Sequence, residues 1–157
     1  MFEVMISIFS RATDVKPELS LKGTLKMVSG RYHLLYEEEN EDGRIRNHLI
    51  LSEDSMEIRR SGAVESYMQF VPGTCTEFFY KNRYGSVPFS VRTEHYGLHI
   101  DESSLSASLR YILMTAEEPD SRPHELSVRE FRWTAEPLSG DPETHFREEV
   151  LKRSTPE

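Results

Sequence analysis

Cysteine is almost absent from the sequence, and long apolar segments are missing. The 157 residues include one cysteine, Cys75, so no intramolecular disulfide can form and a packed core must hold the fold together. No apolar run approaches the ~20 residues of a membrane-spanning helix. The first residues, MFEVMISIFS, have neither the basic start nor the cleavage site of a signal peptide. We therefore expect a soluble, cytoplasmic protein that does not insert into a membrane.

Basic residues are fewer than acidic residues. The chain has 27 acidic and 19 basic side chains, which gives a net charge of -8. A field of this sign repels the phosphate backbones of nucleic acids and anionic membrane surfaces. The sequence therefore argues against nucleic acid as a partner, unless a local basic patch in the segments RIR, IRR or YKNRY overrides the average.

Recognisable catalytic, cofactor and metal motifs are missing as well. The chain contains no GxxxxGK, GxGxxG, GxSxG or HExxH sequence. His95 and His99 have a spacing that brings two imidazoles together on a helix, but four residues along a strand span ~13 Å. Cys75 is predicted to face outward from its strand. We therefore expect no metal site, no cofactor, no catalytic residue and no enzymatic activity.

Alternation of apolar and polar residues dominates what is present. It begins with Phe2, Val4, Ile6 and Ile8 and recurs in eight to ten short segments. Turn sequences such as Asp42-Gly43 and Pro72-Gly73 separate these segments. This pattern predicts an all-β antiparallel sandwich or barrel. In the last segment the apolar side changes, which suggests a bulge near Glu130 or burial on both sides.

Helix is expected in two places only. One is a turn or short helix around residues 15 to 27. The other is the carboxy-terminal tail, where Asp141 is suited to cap a helix and Pro142 to begin it. The predicted organisation is a barrel domain over residues 1–136, followed by a linker and short helix over residues 137–157.

The central part of the chain resembles a known family. The segment RRSGAVESYMQFVPGTCTEFFYKNRYG is followed by PFSVRTE and LRYILM, and their order and spacing are similar to those of the YwiB-like family of small bacterial proteins. The resemblance is clearest over residues 56–114. It implies a calycin-like, lipocalin-like antiparallel barrel of about 8–10 strands whose biochemical role is not established. The tail beyond Glu136 and the segment EHYGLHIDESS depart from the family pattern.

Arg60 is the most informative charged residue. It shares the predicted inward side of its strand with Met56 and Ile58, so its guanidinium points into or over the barrel. One hypothesis makes Arg60 a clamp for a carboxylate or phosphate on a ligand. The other makes it a structural corner whose charge is balanced by carbonyl groups or an acidic side chain, because an unpaired buried charge is costly. The sequence favours the structural role without excluding the clamp.

Two functional hypotheses follow. In the first, the protein is a non-enzymatic binding protein that holds a small anionic or amphipathic ligand inside the barrel. Its favoured ligand-binding residues are Arg60, Tyr80, Thr93 and Tyr111. In the alternative, side chains fill the barrel and the protein is an interaction module. Its outer face, with Phe131, Trp133 and the tail, then meets a partner or forms a homodimer.

Overall fold

Ten β-strands make up the regular structure of the described residues. The computed structural model describes residues 1–12, 17–116 and 124–138. Its strands are β1 (Phe2–Ser10), β2 (Glu18–Val28), β3 (Arg31–Asn40), β4 (Gly43–Leu51), β5 (Met56–Gly62), β6 (Ser66–Phe70), β7 (Cys75–Asn82), β8 (Gly85–Ile100), β9 (Leu105–Thr115) and β10 (Glu125–Pro137). The all-β prediction is confirmed. None of the described segments forms an apolar helix of membrane-spanning length.

The strands form one antiparallel sheet that almost closes on itself. Its order is β6-β5-β4-β3-β2-β1-β10-β9-β8-β7, so β1 pairs with both β2 and β10. The two edge strands meet at what we call the β6–β7 seam. The seam consists of an isolated bridge between Glu65 and Lys81 and a hydrogen bond of 3.0 Å from Thr76 Oγ1 to the carbonyl oxygen of Gln69. The result is a nearly closed barrel, as the sequence predicts.

The core occupies the inside of this barrel. Because side chains alternate across a sheet, every second residue of a strand faces inward. The ten largest side chains with less than 2% of their surface exposed face inward: Val4, Ile6, Leu25, Leu34, Leu49, Leu51, Met56, Phe70, Val91 and Leu105. Burial of each large aliphatic or aromatic side chain contributes about 1.5–3 kcal/mol. Apolar burial from β1 to β9 therefore holds the barrel together.

A series of aromatic rings fills one side of the interior. The ring centroids of Trp133 and Phe131 are 5.4 Å apart, those of Phe131 and Tyr111 6.2 Å, and those of Tyr111 and Phe70 5.0 Å. Trp133 is 3% exposed. The expectation that Phe131 and Trp133 lie on the outer face is therefore wrong.

The position of a bulge explains this error. The register of β10 against β9 shifts between Glu125 and Ser127, not near Glu130. Beyond the shift, Phe131 and Trp133 pair with the inward residues Leu109 and Ala107. Leu126 and Val128 are instead 52% and 44% exposed.

Strand β2 replaces the predicted turn or short helix of residues 15–27. The strand extends without interruption from Glu18 to Val28 and includes Gly23. Gly23 is required by close packing, because a Cβ atom there would overlap the side chain of Ile6 and lie 2.6 Å from the carbonyl oxygen of Leu35. The glycine thus allows β1, β2 and β3 to approach one another.

The last described strand reaches slightly past the predicted domain boundary. Pro137 pairs with Val4 of β1, and the amide of Leu138 donates a hydrogen bond of 3.2 Å to the carbonyl oxygen of Glu3. The predicted carboxy-terminal helix, with Asp141 and Pro142, lies outside the described residues.

We predict that Gly62→Ala destabilises the barrel far more than Gly73→Ala. Both glycines have positive φ angles, +104° and +82°. At Gly62 a Cβ atom would overlap the carbonyl oxygen of Arg44, whereas at Gly73 it would meet no atom of the described structure within 4 Å. Gly73→Ala should cost about 1–2 kcal/mol, and Gly62→Ala at least about 3 kcal/mol. Urea unfolding measures both, and equal losses would contradict the prediction.

Candidate functional site

Three polar side chains meet at one end of the barrel. Arg60 donates a hydrogen bond of 3.1 Å from Nε to Asn47 Oδ1 and another of 3.2 Å from Nη2 to Glu38 Oε1. Asn47 Nδ2 donates to the same Glu38 oxygen at 2.8 Å. These residues come from three adjacent strands, β5, β4 and β3. We call Glu38, Asn47 and Arg60 the Arg60 cluster.

The cluster balances its charge internally. Asn47 is 3% exposed, while the Arg60 and Glu38 side chains are 28% and 34% exposed. Each charge therefore keeps some contact with water and also has a partner, which avoids the large cost of burying an unpaired ion. Glu38 is the acidic partner that the structural hypothesis for Arg60 requires. Glu38 was not predicted as a site residue, although Glu38 continues the inward alternation of Tyr32, Leu34 and Tyr36.

A buried tyrosine connects the cluster to the aromatic series. The indole Nε1 of Trp133 donates a hydrogen bond of 3.1 Å to the hydroxyl of Tyr36. Burial raises the pKa of Tyr36, and the neighbouring Arg60 and Glu38 act on it with opposite signs. The phenol therefore stays neutral and accepts the indole hydrogen bond at any physiological pH.

Ser66 and Tyr80 lie beside the cluster. Ser66 faces Arg60 in the ladder between β5 and β6, and the Glu65–Lys81 bridge places Tyr80 next to it across the seam. The hydroxyl oxygen of Ser66 is buried and has no hydrogen-bond partner in the described part of the chain. Tyr80 is half-buried against the core.

Thr93 and Tyr111 form a separate pair in the core. They face each other in the ladder between β8 and β9 and are 2% and 6% exposed. Thr93 Oγ1 is buried without a hydrogen bond to any described residue. The backbone of Thr93 holds the preceding turn, since its N–H donates to Thr74 O at 3.1 Å and its carbonyl accepts from Gly73 N at 3.0 Å. Of the four predicted ligand-binding residues, only Arg60 and Tyr80 thus flank a common neighbour, Ser66.

Two histidines that the sequence analysis did not connect meet on the outside of the barrel. His33 Nδ1 and His48 Nε2 are 2.8 Å apart and share a hydrogen bond. The Asp42-Gly43 turn sets this juxtaposition, because it pairs His33 with Ile50 and His48 with Leu35. Counting the register back from that turn would have placed the two imidazoles on the same face.

The other histidines and the cysteine form no metal-binding group in the described part of the chain. His95 and His99 both lie on strand β8, where the sequence analysis expected them to be too far apart to share a metal ion. Among residues 1–12, 17–116 and 124–138, no group of three or more histidine, cysteine, aspartate or glutamate side chains is arranged to hold a metal. Cys75 is exposed and has a free thiol.

Comparison with known proteins identifies the family to which the chain belongs. Residues 6–127 match the model of the domain of unknown function DUF1934. The chain belongs to this DUF1934 family. It is similar to the uncharacterised β-barrel protein YwiB of Bacillus subtilis strain 168, with 26% identity over 103 residues that cover 66% of this chain and 72% of YwiB. The resemblance to the YwiB-like family is thereby confirmed.

The crystal structure of the ywiB protein from Bacillus subtilis confirms the fold of this DUF1934 member. The two structures agree with a TM-score of 0.72 at 22% sequence identity, over 88% of this chain and 93% of the other. The family description assigns no function. The function must therefore be inferred from this chain's own geometry.

We predict that the His33–His48 pair makes the stability of the protein depend on pH. Burial lowers the pKa of both imidazoles. His48, Lys26 and Arg31 lower the pKa of His33 further, Lys26 and Arg59 lower the pKa of His48, and Glu57 acts in the opposite direction on both. The unfolded chain therefore binds more protons than the folded chain below the ordinary histidine pKa of ~6.5. The contribution of the neutral pair is complete above that pH and is lost as the pH falls through the lowered pKa values.

Urea unfolding at pH 7.5 and pH 5.0 tests this prediction. The wild-type midpoint should fall more between the two values than the midpoint of a His33→Gln/His48→Gln double variant. His95→Gln, a change of an exposed histidine on β8, serves as the control and should behave like the wild type. An identical pH response of the double variant and the wild type would contradict the prediction.

Proposed function

We propose that this protein is a non-enzymatic binding protein that holds a small amphipathic ligand with an anionic head group at the Arg60 end of the barrel. The observation that carries the proposal is the buried hydroxyl of Ser66 beside Arg60, which has no hydrogen-bond partner among the described residues. A buried polar group left unsatisfied costs about 1–3 kcal/mol. A ligand oxygen that accepts from both Ser66 and Arg60 would remove this cost.

The chemistry of Arg60 supports an anionic head group. Its guanidinium has five N–H groups in a planar fork, and it donates one hydrogen bond to Asn47 and one to Glu38. The other N–H groups have no partner in the described part of the chain and suit a carboxylate. Because Glu38 already balances the charge of Arg60, a head group with one negative charge is favoured over a polyanion.

The half-buried side chains near the seam support an apolar tail. Ile58, Met68 and Tyr80 face inward and pack against the core without being fully covered. The adjoining β6–β7 seam has a single backbone bridge in the described structure. The aromatic series of Trp133, Phe131, Tyr111 and Phe70 already fills another part of the interior. The ligand is therefore small and lies at the Arg60 end, so Thr93 and Tyr111, which form a separate pair in the core, are left out of its proposed contacts.

The residues around Arg60 favour binding over catalysis. The cluster supplies an ion pair and an amide, and Ser66 beside it supplies a hydroxyl; all three groups can hold a ligand. The described contacts of Arg60, Asn47 and Glu38 include no histidine or thiol to activate a nucleophile. The single cysteine, Cys75, is exposed and is not among these contacts.

Titration with dodecanoate tests the proposal. Trp133 is the only tryptophan and bonds to Tyr36 beside the cluster, so its fluorescence reports on this end of the barrel. We predict that dodecanoate changes the emission and that Arg60→Met weakens binding about 10- to 100-fold, the loss for a charged hydrogen bond of ~1.5–3 kcal/mol. Ser66→Ala, which conserves the charge, should weaken binding by a smaller factor.

Two controls separate the clamp from the structural corner. Arg46→Met removes a neighbouring arginine whose side chain is 74% exposed and should leave binding unchanged. Urea midpoints with and without dodecanoate then distinguish the roles of Arg60. A loss of stability in Arg60→Met that is the same in both conditions, or wild-type protein that does not bind dodecanoate, would overturn the proposal.

Self-association is the second candidate function, and exposed apolar residues on the β7–β8 hairpin support it. Phe79, Tyr84 and Val87 are 64%, 74% and 50% exposed. The proposed interface therefore uses these three residues and not Phe131 and Trp133, which lie inside the barrel. We predict that, if the protein forms a homodimer through this surface, Phe79→Ser shifts the sedimentation coefficient to that of a monomer while Leu126→Ser does not. A wild-type protein that remains monomeric at high concentration would exclude this candidate.

A further inference from the structure

A groove crosses the outer surface of strands β8, β9 and β10. It consists of two adjoining concave regions of about 530 Å³ and about 400 Å³ that share Ser108 and Arg132. Arg11 and His95 line the first region, and His99 and Ser106 line the second. We call it the outer groove. It lies on the solvent side of the sheet, whereas the Arg60 cluster faces the interior.

Local backbone features of β8 shape the groove. The register of β8 against β9 shifts between Thr93 and His95, so a bulge lies at one end. Gly97 follows, and a Cβ atom there would lie 3.5 Å from His95 Nε2 and 3.4 Å from Ser108 Oγ. The imidazole of His95 and the hydroxyl of Ser108 therefore both lie close to the outer side of Gly97.

The ladder pairs bring hydrogen-bond donors together in this groove. Gly97 pairs with Ser108, which pairs in turn with Arg132 on β10. One step along, His99 pairs with Ser106. Hydroxyl, imidazole and guanidinium groups thus follow one another across three strands. All of them can donate a hydrogen bond to a ligand oxygen.

The charge balance of the groove is positive, in contrast to the net charge of -8 of the chain. Its carboxylate Glu130 accepts a hydrogen bond of 2.7 Å from Arg110 Nη1 and lies 3.6 Å from Arg11 Nη1. Arg132, by contrast, has no ion pair or hydrogen bond with any residue that the structure describes. An exposed arginine in a concave site is thus left available for an external anion.

We propose that the outer groove binds the phosphate group of a small phosphorylated molecule. Phosphate oxygens only accept hydrogen bonds, and the planar fork of arginine matches them in pairs. Donors from three strands suit a tetrahedral oxyanion better than a planar carboxylate. The volume of each of the two concave regions falls in the range of ~300–1,000 Å³ that small-molecule sites occupy. The site is independent of the Arg60 cluster, because the two lie on opposite sides of the sheet.

Titration of the full chain with phenyl phosphate, followed by calorimetry and by the NMR signals of His95 and His99, tests the inference. Arg132→Gln should weaken binding at least tenfold. Ser108→Leu should do the same, because it fills the groove without changing the charge. Arg92→Gln is the matched control: Arg92 is on the outer side of β8, pairs with Glu125 at 2.9 Å and does not line the groove.

The outcomes separate a built site from general attraction. Loss of binding in Arg132→Gln and Ser108→Leu, with Arg92→Gln unchanged, supports the inference. Equal weakening by Arg132→Gln and Arg92→Gln would show that overall positive charge, and not a built site, causes the binding. That result would overturn the inference. Binding that is unchanged in Arg132→Gln, or no binding by the wild type, would also overturn it. Thermal unfolding of each variant checks that the barrel is intact, and Arg132→Gln changes only an exposed side chain.

Discussion

The pairing of β1 with β10 is the constraint on which the rest of the structure depends. It joins the first strand of the chain to the last described one, with Ile6 opposite Ala135 and Ile8 opposite Trp133. Contacts so distant in sequence carry a large loop-closure cost, and burial of the inward side chains offsets it. Without this pairing, strands β1 to β6 and strands β7 to β10 would be joined only at the β6–β7 seam. The sheet would then enclose no interior, and the inward side of Arg60 would not differ from the outward side of Arg59.

Closure also decides where charge is tolerated. A filled interior has a low effective dielectric constant, so an unpaired ion deep inside would be costly. Arg60 and Glu38 avoid this because they lie near the barrel end, share a hydrogen-bonded asparagine and keep about a third of their side-chain surface in water. Deeper in, the polar atoms are neutral, as in the Tyr36–Trp133 pair. Polarity therefore decreases from the end of the barrel toward its aromatic core.

The sequence was sufficient for features that depend on alternation within one strand. The all-β fold, the inward side of Arg60 and the outward side of Cys75 all follow from counting residues in twos. Features that depend on register between strands were missed or misplaced. Trp133 faces inward in the register that follows the bulge after Glu125. Gly23 is a packing residue within strand β2 and not part of the predicted turn or short helix. The Glu38–Arg60 and His33–His48 contacts likewise require the register of strands that only the assembled sheet provides.

Tight packing on one side of the barrel restricts where binding can occur. The rings of Phe70, Tyr111, Phe131 and Trp133 occupy the space that a wider barrel would leave for a ligand. A ligand must therefore use an end, the seam or the outer surface. The barrel end and the seam meet at Ser66, next to the Arg60 cluster. The hydroxyl of Ser66 is buried there and has no hydrogen-bond partner among the described residues. The third is available because a bulge and Gly97 interrupt the otherwise regular outer face of β8. In both places, the binding that we propose uses a break in regular strand geometry and not the best-packed part of the core.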